Sequence, residues 1–205
     1  GLYSRLGRMT ELEALLNSVS RRLFLGGTSE RINLAREALS MMQYQPGVSF
    51  RCGPLALQSI MLSLNHQSAN EMAIFNSAST QQGFSLPQVA ELSQTVGLNY
   101  QMAFRESGGN FVIPSVVHWK VGHYAALVRK EGERYLLEDP TFGNTVWATK
   151  QALEAETSGY FLLPPGKLPA GWRTVVAKEG SAVWGKGLNH FIDPDNYTGE
   201  DFVAG

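Results

Sequence analysis

The chain has 205 residues, 43% of them hydrophobic, which is enough for one substantial globular domain with attached segments. Its 17 lysines and arginines nearly balance its 18 aspartates and glutamates, and without a basic block the sequence predicts no nucleic-acid binding. No apolar run is long enough to span a membrane, and no signal peptide is visible. The single cysteine allows no internal disulfide. The sequence therefore does not show whether the protein works in an oxidising or a reducing compartment. Because the sequence starts within a helical pattern, we expect a segment of a larger protein, such as a secreted or envelope-associated one.

Residues 1–43 predict a helical hairpin. Apolar residues recur at helical spacing in two stretches, and Gly26 and Gly27 are expected to break the chain between them. Thr28 or Ser29 is expected to cap the second helix. The phrase YSRLGRMTELEAL resembles part of a tetratricopeptide-type repeat, which implies a surface for a protein partner.

Residues 44–164 read as helices first and strands second. Three short helical patterns follow one another, and capping boxes are predicted at Ser68 and Ser85. From Tyr100 the pattern changes to YQMAFR, SVVHW, HYAALVR, RYLLED and TVWAT, then a short helix KQALEAE and a last strand GYFLLP. This order predicts an α+β domain in which helices pack on an antiparallel sheet.

Residues 165–205 are rich in glycine, asparagine, aspartate and proline. They predict a linker or the start of a neighbouring module. The stretch DPDNYTGED offers oxygen ligands like those of a calcium loop, but its glycine is one place late and no flanking helices are evident. We therefore interpret it as a solvated loop, and the sequence predicts no metal and no cofactor.

The single cysteine, Cys52, lies at the predicted start of a helix. Pro54 marks the first turn, where its missing N–H costs nothing, and LALQSIMLSL continues as an apolar face. At a helix N-terminus the sulfur meets the positive end of the macrodipole and free N–H groups, which favour the nucleophilic thiolate. Gly53 is expected to leave open space beside the sulfur. A cysteine that only fills a core belongs in the middle of an apolar face, so Cys52 is predicted to be reactive.

Two of the four histidines, His118 and His123, flank the sequence WKVG between two predicted strands. The other two, His66 in a turn and His190 in the loose tail, are predicted to be solvated. Strand alternation does not decide between the first two, because Gly122 can form a turn or a bulge.

Asp139 ends the strand YLLEDP. One interpretation is a turn-forming Asp-Pro pair, and the other is a carboxylate that orients a histidine and stabilises its imidazolium. Strands 123–129 and 135–139 are expected to form a hairpin through KEGE. The antiparallel register then places His123 close to Asp139.

These segments together resemble the bacteriocin-processing, double-glycine cysteine peptidases of the papain clan. The resemblance covers RCGPLAL, HWKVGHYAALVR and YLLEDPTFG in that order, and it implies a papain-like fold. It also implies that Cys52 is the nucleophile, His123 the general base and acid, and Asp139 the orienting residue. His118 corresponds to the companion histidine of the family, to which we assign no chemistry.

Two positions depart from that family's pattern. The family's glutamine, which donates to the oxyanion, lies six residues before the cysteine, whereas Gln45 lies seven before Cys52. Arg51 stands where an acidic residue often precedes the cysteine. No membrane span or nucleotide-binding motif is present, so the exporter arrangement is not seen in this segment.

The predicted function is therefore a cysteine peptidase that hydrolyses a glycine-containing segment of a protein or of its own parent chain. The stretch RLFLGGT resembles a site that such peptidases cut, so self-processing after Gly27 is a hypothesis beside the simpler interpretation of a glycine turn. Two further alternatives stay open. One is a degenerate peptidase domain that binds a peptide without cutting it, and the other is a thiol acyltransferase or deamidase on the same fold.

Overall fold

The computed structural model describes residues 1–139, 141–142 and 144–188. Within these ranges the helices are α1 Leu2–Arg5, α2 Met9–Val19, α3 Gly27–Tyr44, α4 Pro46–Ser49, α5 Cys52–Ser63, α6 Met72–Asn76, α7 Leu86–Thr95, α8 Lys150–Glu156 and α9 Ala177–Gly180. The strands are β1 Phe84–Ser85, β2 Gln101–Arg105, β3 Ser115–Trp119, β4 His123–Glu131, β5 Arg134–Asp139, β6 Asn144–Thr149, β7 Thr157–Leu163, β8 Trp172–Thr174 and β9 Trp184–Gly185. None of these helices has the length and hydropathy that crossing a membrane requires.

An antiparallel sheet forms the centre of the protein, in the order β6-β5-β4-β3-β7-β2-β8. A separate two-stranded ribbon pairs β1 with β9. The α+β class and the antiparallel sheet predicted from the sequence are confirmed. The central strands β3 and β4 bury consecutive residues, because successive side chains point to opposite faces of the sheet and both faces are covered.

Strand β4 shows how the two faces of the sheet are covered. Tyr124 and Ala126 join the cluster that includes α5 and α7, while Ala125 and Leu127 join the cluster on the opposite face, which includes Leu153 of α8. Helix α5 lies directly against β4. This packing brings the N-terminus of α5 to the end of the sheet at which β4 begins.

The helix starts follow the predictions in one case and differ in two. The capping box at Ser85 is confirmed, with the Ser85 N–H donating to Gln88 Oε1 over 2.8 Å. The box at Ser68 is wrong, because Ser68 Oγ accepts from the Asn70 N–H in a turn and α6 begins only at Met72. The second N-terminal helix begins at Gly27, before the predicted caps Thr28 and Ser29.

Helices α2 and α3 pack on each other around a small core of their own. That core includes Leu12, Ala38 and Met42, and it also takes in Phe50 and Leu188. The helical hairpin is therefore present, while its assignment to the tetratricopeptide type stays a prediction.

Residues 165–188 differ from the predicted linker. Trp172–Thr174 is an edge strand of the sheet, and Trp172, Val175, Val183 and Leu188 are buried. The sequence analysis missed these buried apolar residues because they are widely spaced in a segment rich in glycine and proline. The division of the chain into domains stays a prediction, and the calcium-like loop and His190 lie outside the described residues.

Candidate active site

Helix α5 places Cys52 as its first residue, with Arg51 at the N-cap. The Cys52 side chain is only 1% exposed. It lies where the free N–H groups of the first turn and the macrodipole stabilise a negative charge. The expectation of open space at Gly53 is wrong, since a Cβ atom there would come within 2.6 Å of Val89 Cγ2 and 3.3 Å of Tyr124 Cδ2. Glycine at this position lets α5 approach β4 closely.

The hairpin β4–β5 places His123 and Asp139 together. His123 is the first residue of β4, Asp139 is the last of β5, and the strands join through a tight turn between Glu131 and Arg134. His123 Nε2 lies 2.9 Å from Asp139 Oδ1 and 2.8 Å from Oδ2. The predicted proximity of the two residues is thus a feature of the structure.

The Asp139 carboxylate is itself held in place by the turn that follows β5. Its Oδ1 accepts hydrogen bonds from the backbone N–H of Thr141 at 3.0 Å and of Phe142 at 3.2 Å. The His123 ring in turn packs edge-on to Phe142. These contacts fix the carboxylate as the partner of His123 Nε2, while Nδ1 is buried without a hydrogen-bond partner among the described residues.

The electrostatics of His123 favour its charged form. Complete burial would lower the pKa of the imidazole, but the negative charge of Asp139, the hydrogen bond to it and the nearby Cys52 sulfur outweigh burial and raise the pKa to about 10. A histidine that is protonated at neutral pH and lies beside a cysteine is the arrangement that stabilises a thiolate.

His118 has the opposite electrostatics. Burial and the charge of His123 lower the pKa of the His118 imidazole to about 4, although the hydrogen bond to Trp184 acts in the opposite direction. The neutral ring donates from Nε2 to the Trp184 carbonyl over 2.9 Å, and its Nδ1 lies 2.8 Å from Ser158 Oγ. His118 is therefore a structural anchor, which agrees with assigning it no chemistry.

Gln45 stands apart from this group. It caps the end of α3 and is exposed, and its backbone carbonyl accepts from Ser49 Oγ. Among the described residues, no hydrogen bond joins its side chain to Cys52 or His123. The oxyanion role implied by the resemblance stays a prediction, and the exposed position gives it no support.

One residue of the site was missed by the sequence analysis. The backbone N–H of Gly187 donates to Cys52 Sγ over 3.2 Å, 135 positions along the chain. A Cβ atom on Gly187 would overlap His123 Nδ1 and Thr141 Oγ1. The sequence signal was the alternation Trp-Gly-Lys-Gly-Leu, in which small residues alternate with large ones as in a strand held against a crowded surface.

An apolar cavity of about 300 Å³ opens beside the His123–Asp139 pair. Its other walls include Leu2 of α1, Leu6 just after that helix, Trp119 at the end of β3 and Val121 in the loop before β4. No group of three or more acidic, histidine or cysteine side chains suited to a metal ion occurs among the described residues.

Comparison with known proteins identifies the family. The model of the Peptidase C39 family matches residues 47–167. Among solved structures, the chain is similar to a double glycine motif protease from an AMS/PCAT transporter in complex with the leader peptide, with 20% identity and a TM-score of 0.46 over 56% of this chain and 84% of that chain.

Two further structures are similar at a comparable level. The peptidase C39 like domain of a toxin secretion ATP-binding protein from Vibrio parahaemolyticus is 15% identical, with a TM-score of 0.45 over 57% of this chain and 97% of that chain. The peptidase domain of Streptococcus mutans ComA is 16% identical, with a TM-score of 0.40 over 57% of this chain and 93% of that chain. No curated protein matches the chain. Because the family model matches more than half of the sequence, the chain belongs to the Peptidase C39 family.

Proposed function

We propose that the protein is a cysteine peptidase in which Cys52 is the nucleophile, His123 the general acid and base, and Asp139 the residue that orients His123. Family membership supports the reaction class. The observation that carries the assignment is the buried His123–Asp139 pair, with its raised pKa, beside a cysteine at a helix N-terminus.

The mechanism starts from a Cys52 thiolate beside a His123 imidazolium that is held by Asp139. The Cys52 thiolate attacks a substrate carbonyl carbon, and the oxyanion forms near the N–H groups at the start of α5. The His123 imidazolium then gives its proton to the leaving amine, and the C–N bond breaks to leave a thioester. Neutral His123 next takes a proton from water and becomes imidazolium again, the hydroxide adds to the thioester carbon, and the C–S bond breaks to release the acid and the Cys52 thiolate. Asp139 holds the ring in one tautomer throughout.

The proposed substrate is a flexible protein segment that contains glycine. For the parent chain itself, the structure limits how Gly27 can be cut. Gly27 begins α3, and 18 helical residues separate the two ends of that helix by about 27 Å. Residues 45–51 then lead from its far end to Cys52, so we expect any cut after Gly27 to be made by another copy of the protein.

The first test is the rate at which iodoacetamide labels Cys52 as a function of pH, in the wild type and in His123→Ala. Cys52 is the only cysteine, so the label reports one site. We expect rapid labelling of the wild type at pH values at which a free thiol reacts slowly, because the imidazolium stabilises the reactive thiolate, and we expect this rapid labelling to be lost in the variant.

His66→Ala is the matched control, because the hydrogen bond given for that ring among the described residues is to the Val96 carbonyl, outside the candidate active site. The proposal would be contradicted by a wild-type rate that rises with pH as for a free thiol, with a midpoint at about 8.5, and that is the same in His123→Ala.

A second experiment separates hydrolysis from acyl transfer. The protein is incubated with a glutamine peptide and a free amine, and only acyl transfer yields an amide of the added amine.

A further inference from the structure

Residues 184–188, called the strap from here on, run directly through the candidate active site. The Gly187 N–H donates to Cys52 Sγ over 3.2 Å, and the Lys186 N–H donates to the Gly122 carbonyl, next to His123, over 2.8 Å. Trp184 and Gly185 pair with β1 as an added antiparallel strand. The strap therefore occupies the position in which a peptide would have to lie to reach Cys52.

The strap fits this channel closely because of its two glycines. A Cβ atom on Gly185 would overlap the Tyr124 ring, and one on Gly187 would overlap His123 Nδ1. The channel walls are glycines as well: a Cβ on Gly83 would overlap the Gly185 carbonyl, and one on Gly7 the Lys186 carbonyl. As a result both Cys52 and His123 are only 1% exposed. A substrate segment therefore finds Cys52 covered while the strap is seated.

Both ends of the strap are anchored outside the catalytic group. At its start, the Trp184 carbonyl accepts from His118 Nε2 over 2.9 Å, and the Val183 carbonyl before it accepts from Tyr124 and from the Leu86 N–H. At its end, Leu188 is buried in the core of α2 and α3, and its N–H donates to the Arg5 carbonyl over 2.8 Å. The N-terminal helices thus hold the strap in place.

The strap is seated in a way that protects it from attack. A backbone N–H lies in the plane of its peptide group, so the sulfur that accepts from Gly187 N–H lies toward that plane. Attack on the Lys186–Gly187 bond requires the sulfur above the face of the carbonyl carbon. The contact with Gly187 therefore occupies the nucleophile without presenting this bond to it.

We infer that the strap is an intramolecular inhibitor, which keeps the enzyme latent until residues 184–188 leave the channel, and that the N-terminal helices act as its clamp. This inference rests on the proposed function. It implies that a partner which separates α2 and α3 from Leu188 activates the peptidase.

The test is the rate of Cys52 alkylation at pH 7 in Gly185→Ala/Gly187→Ala, whose added methyl groups overlap Tyr124 and His123. Because the observed rate scales with the fraction of open molecules, we expect it to rise by about tenfold or more. Leu188→Asp, which removes the anchor without touching the site, is expected to give a similar rise. Gly27→Ala is the matched control, since its Cβ meets nothing within 4 Å, and it is expected to leave the rate unchanged.

A peptide supplied in trans completes the test. The synthetic peptide AVWGKGL, residues 182–188, is expected to slow alkylation of the double variant again, whereas AVWAKAL is not. Variants that keep native circular dichroism and a cooperative melt, yet alkylate no faster than the wild type, would overturn the inference. That result would leave the proposed function intact, because closure scales the rate at every pH and does not change its dependence on His123.

Discussion

Two histidines five positions apart take opposite charge states because of their immediate partners. His123 faces a carboxylate and the Cys52 sulfur, so its pKa rises to about 10, whereas His118 faces a backbone carbonyl and a hydroxyl, so burial lowers its pKa to about 4. Sequence spacing could not separate these roles. The deciding contact is the pairing of His123 Nε2 with Asp139, supplied by the neighbouring strand.

Asp139→Asn is expected to lower the pKa of His123, because burial then acts without the opposing charge. In the wild type the folded-state pKa lies above the unfolded value of about 6.5. The pair therefore stabilises the fold fully below that value, and this stability is lost as the pH rises through about 10. We expect the His123 ring protons not to titrate between about pH 5 and 8 in the wild type, and to titrate in or below this range in the variant. NMR titration of the four histidines measures this.

Glu138→Gln is the control for Asp139→Asn, since it removes a carboxylate from the adjacent position of β5. It should leave the His123 titration unchanged. The same shift in both variants would mean that general surface charge, and not the Asp139 contact, sets the charge state of His123.

At the scale of elements, the site depends on one helix lying close to one strand. At Gly53, helix α5 lies so close to Val89 of α7, and less tightly to Tyr124 of β4, that an added Cβ atom would force a neighbour to move. This contact sets the position of the α5 N-terminus relative to the first residue of β4. The sequence predicted both elements from their periodicity, but it could not show that Gly53 is a packing position.

Gly53→Ala is expected to destabilise the protein by about 1–3 kcal/mol, because the added methyl must displace Val89 or move α5. Urea denaturation measures this change. Gly27→Ala adds the same methyl group at a helix start with open space around it, and we expect a change of less than about 1 kcal/mol. Equal stability of the two variants would show that α5 does not pack tightly on α7 and β4 at Gly53.

At the scale of the whole molecule, the sequence predicted what local patterns determine. The β4–β5 hairpin followed from alternation and the KEGE turn, and the family resemblance is confirmed by the family match over residues 47–167. The predicted α+β class, with helices packed on an antiparallel sheet, is confirmed by the structure. These features depend on short-range spacing, which a single sequence displays directly.

The sequence analysis missed what depends on long-range contact. Residues 165–188 look like a linker in composition, yet they supply β8 and the segment that covers Cys52. Gly187 reaches Cys52 across 135 positions, and no local pattern encodes such a pairing. The shape of the channel, and not the composition of the segment, determines where those glycines lie.

The most direct test of the central claim is hydrolysis of a peptide followed by mass spectrometry. The probe is the peptide of residues 18–32, which contains RLFLGGT, with its Gly-Gly changed to Ala-Ala as the control. The wild type and the Gly185→Ala/Gly187→Ala variant are compared with the same proteins carrying Cys52→Ser. We predict cleavage after the glycine pair that is faster in the Gly185→Ala/Gly187→Ala variant than in the wild type and absent in the Cys52→Ser proteins. A folded protein whose Cys52 alkylates in a His123-dependent manner, but which releases no product in either form, would contradict the assignment of peptidase activity on this sequence and favour a peptide-binding domain.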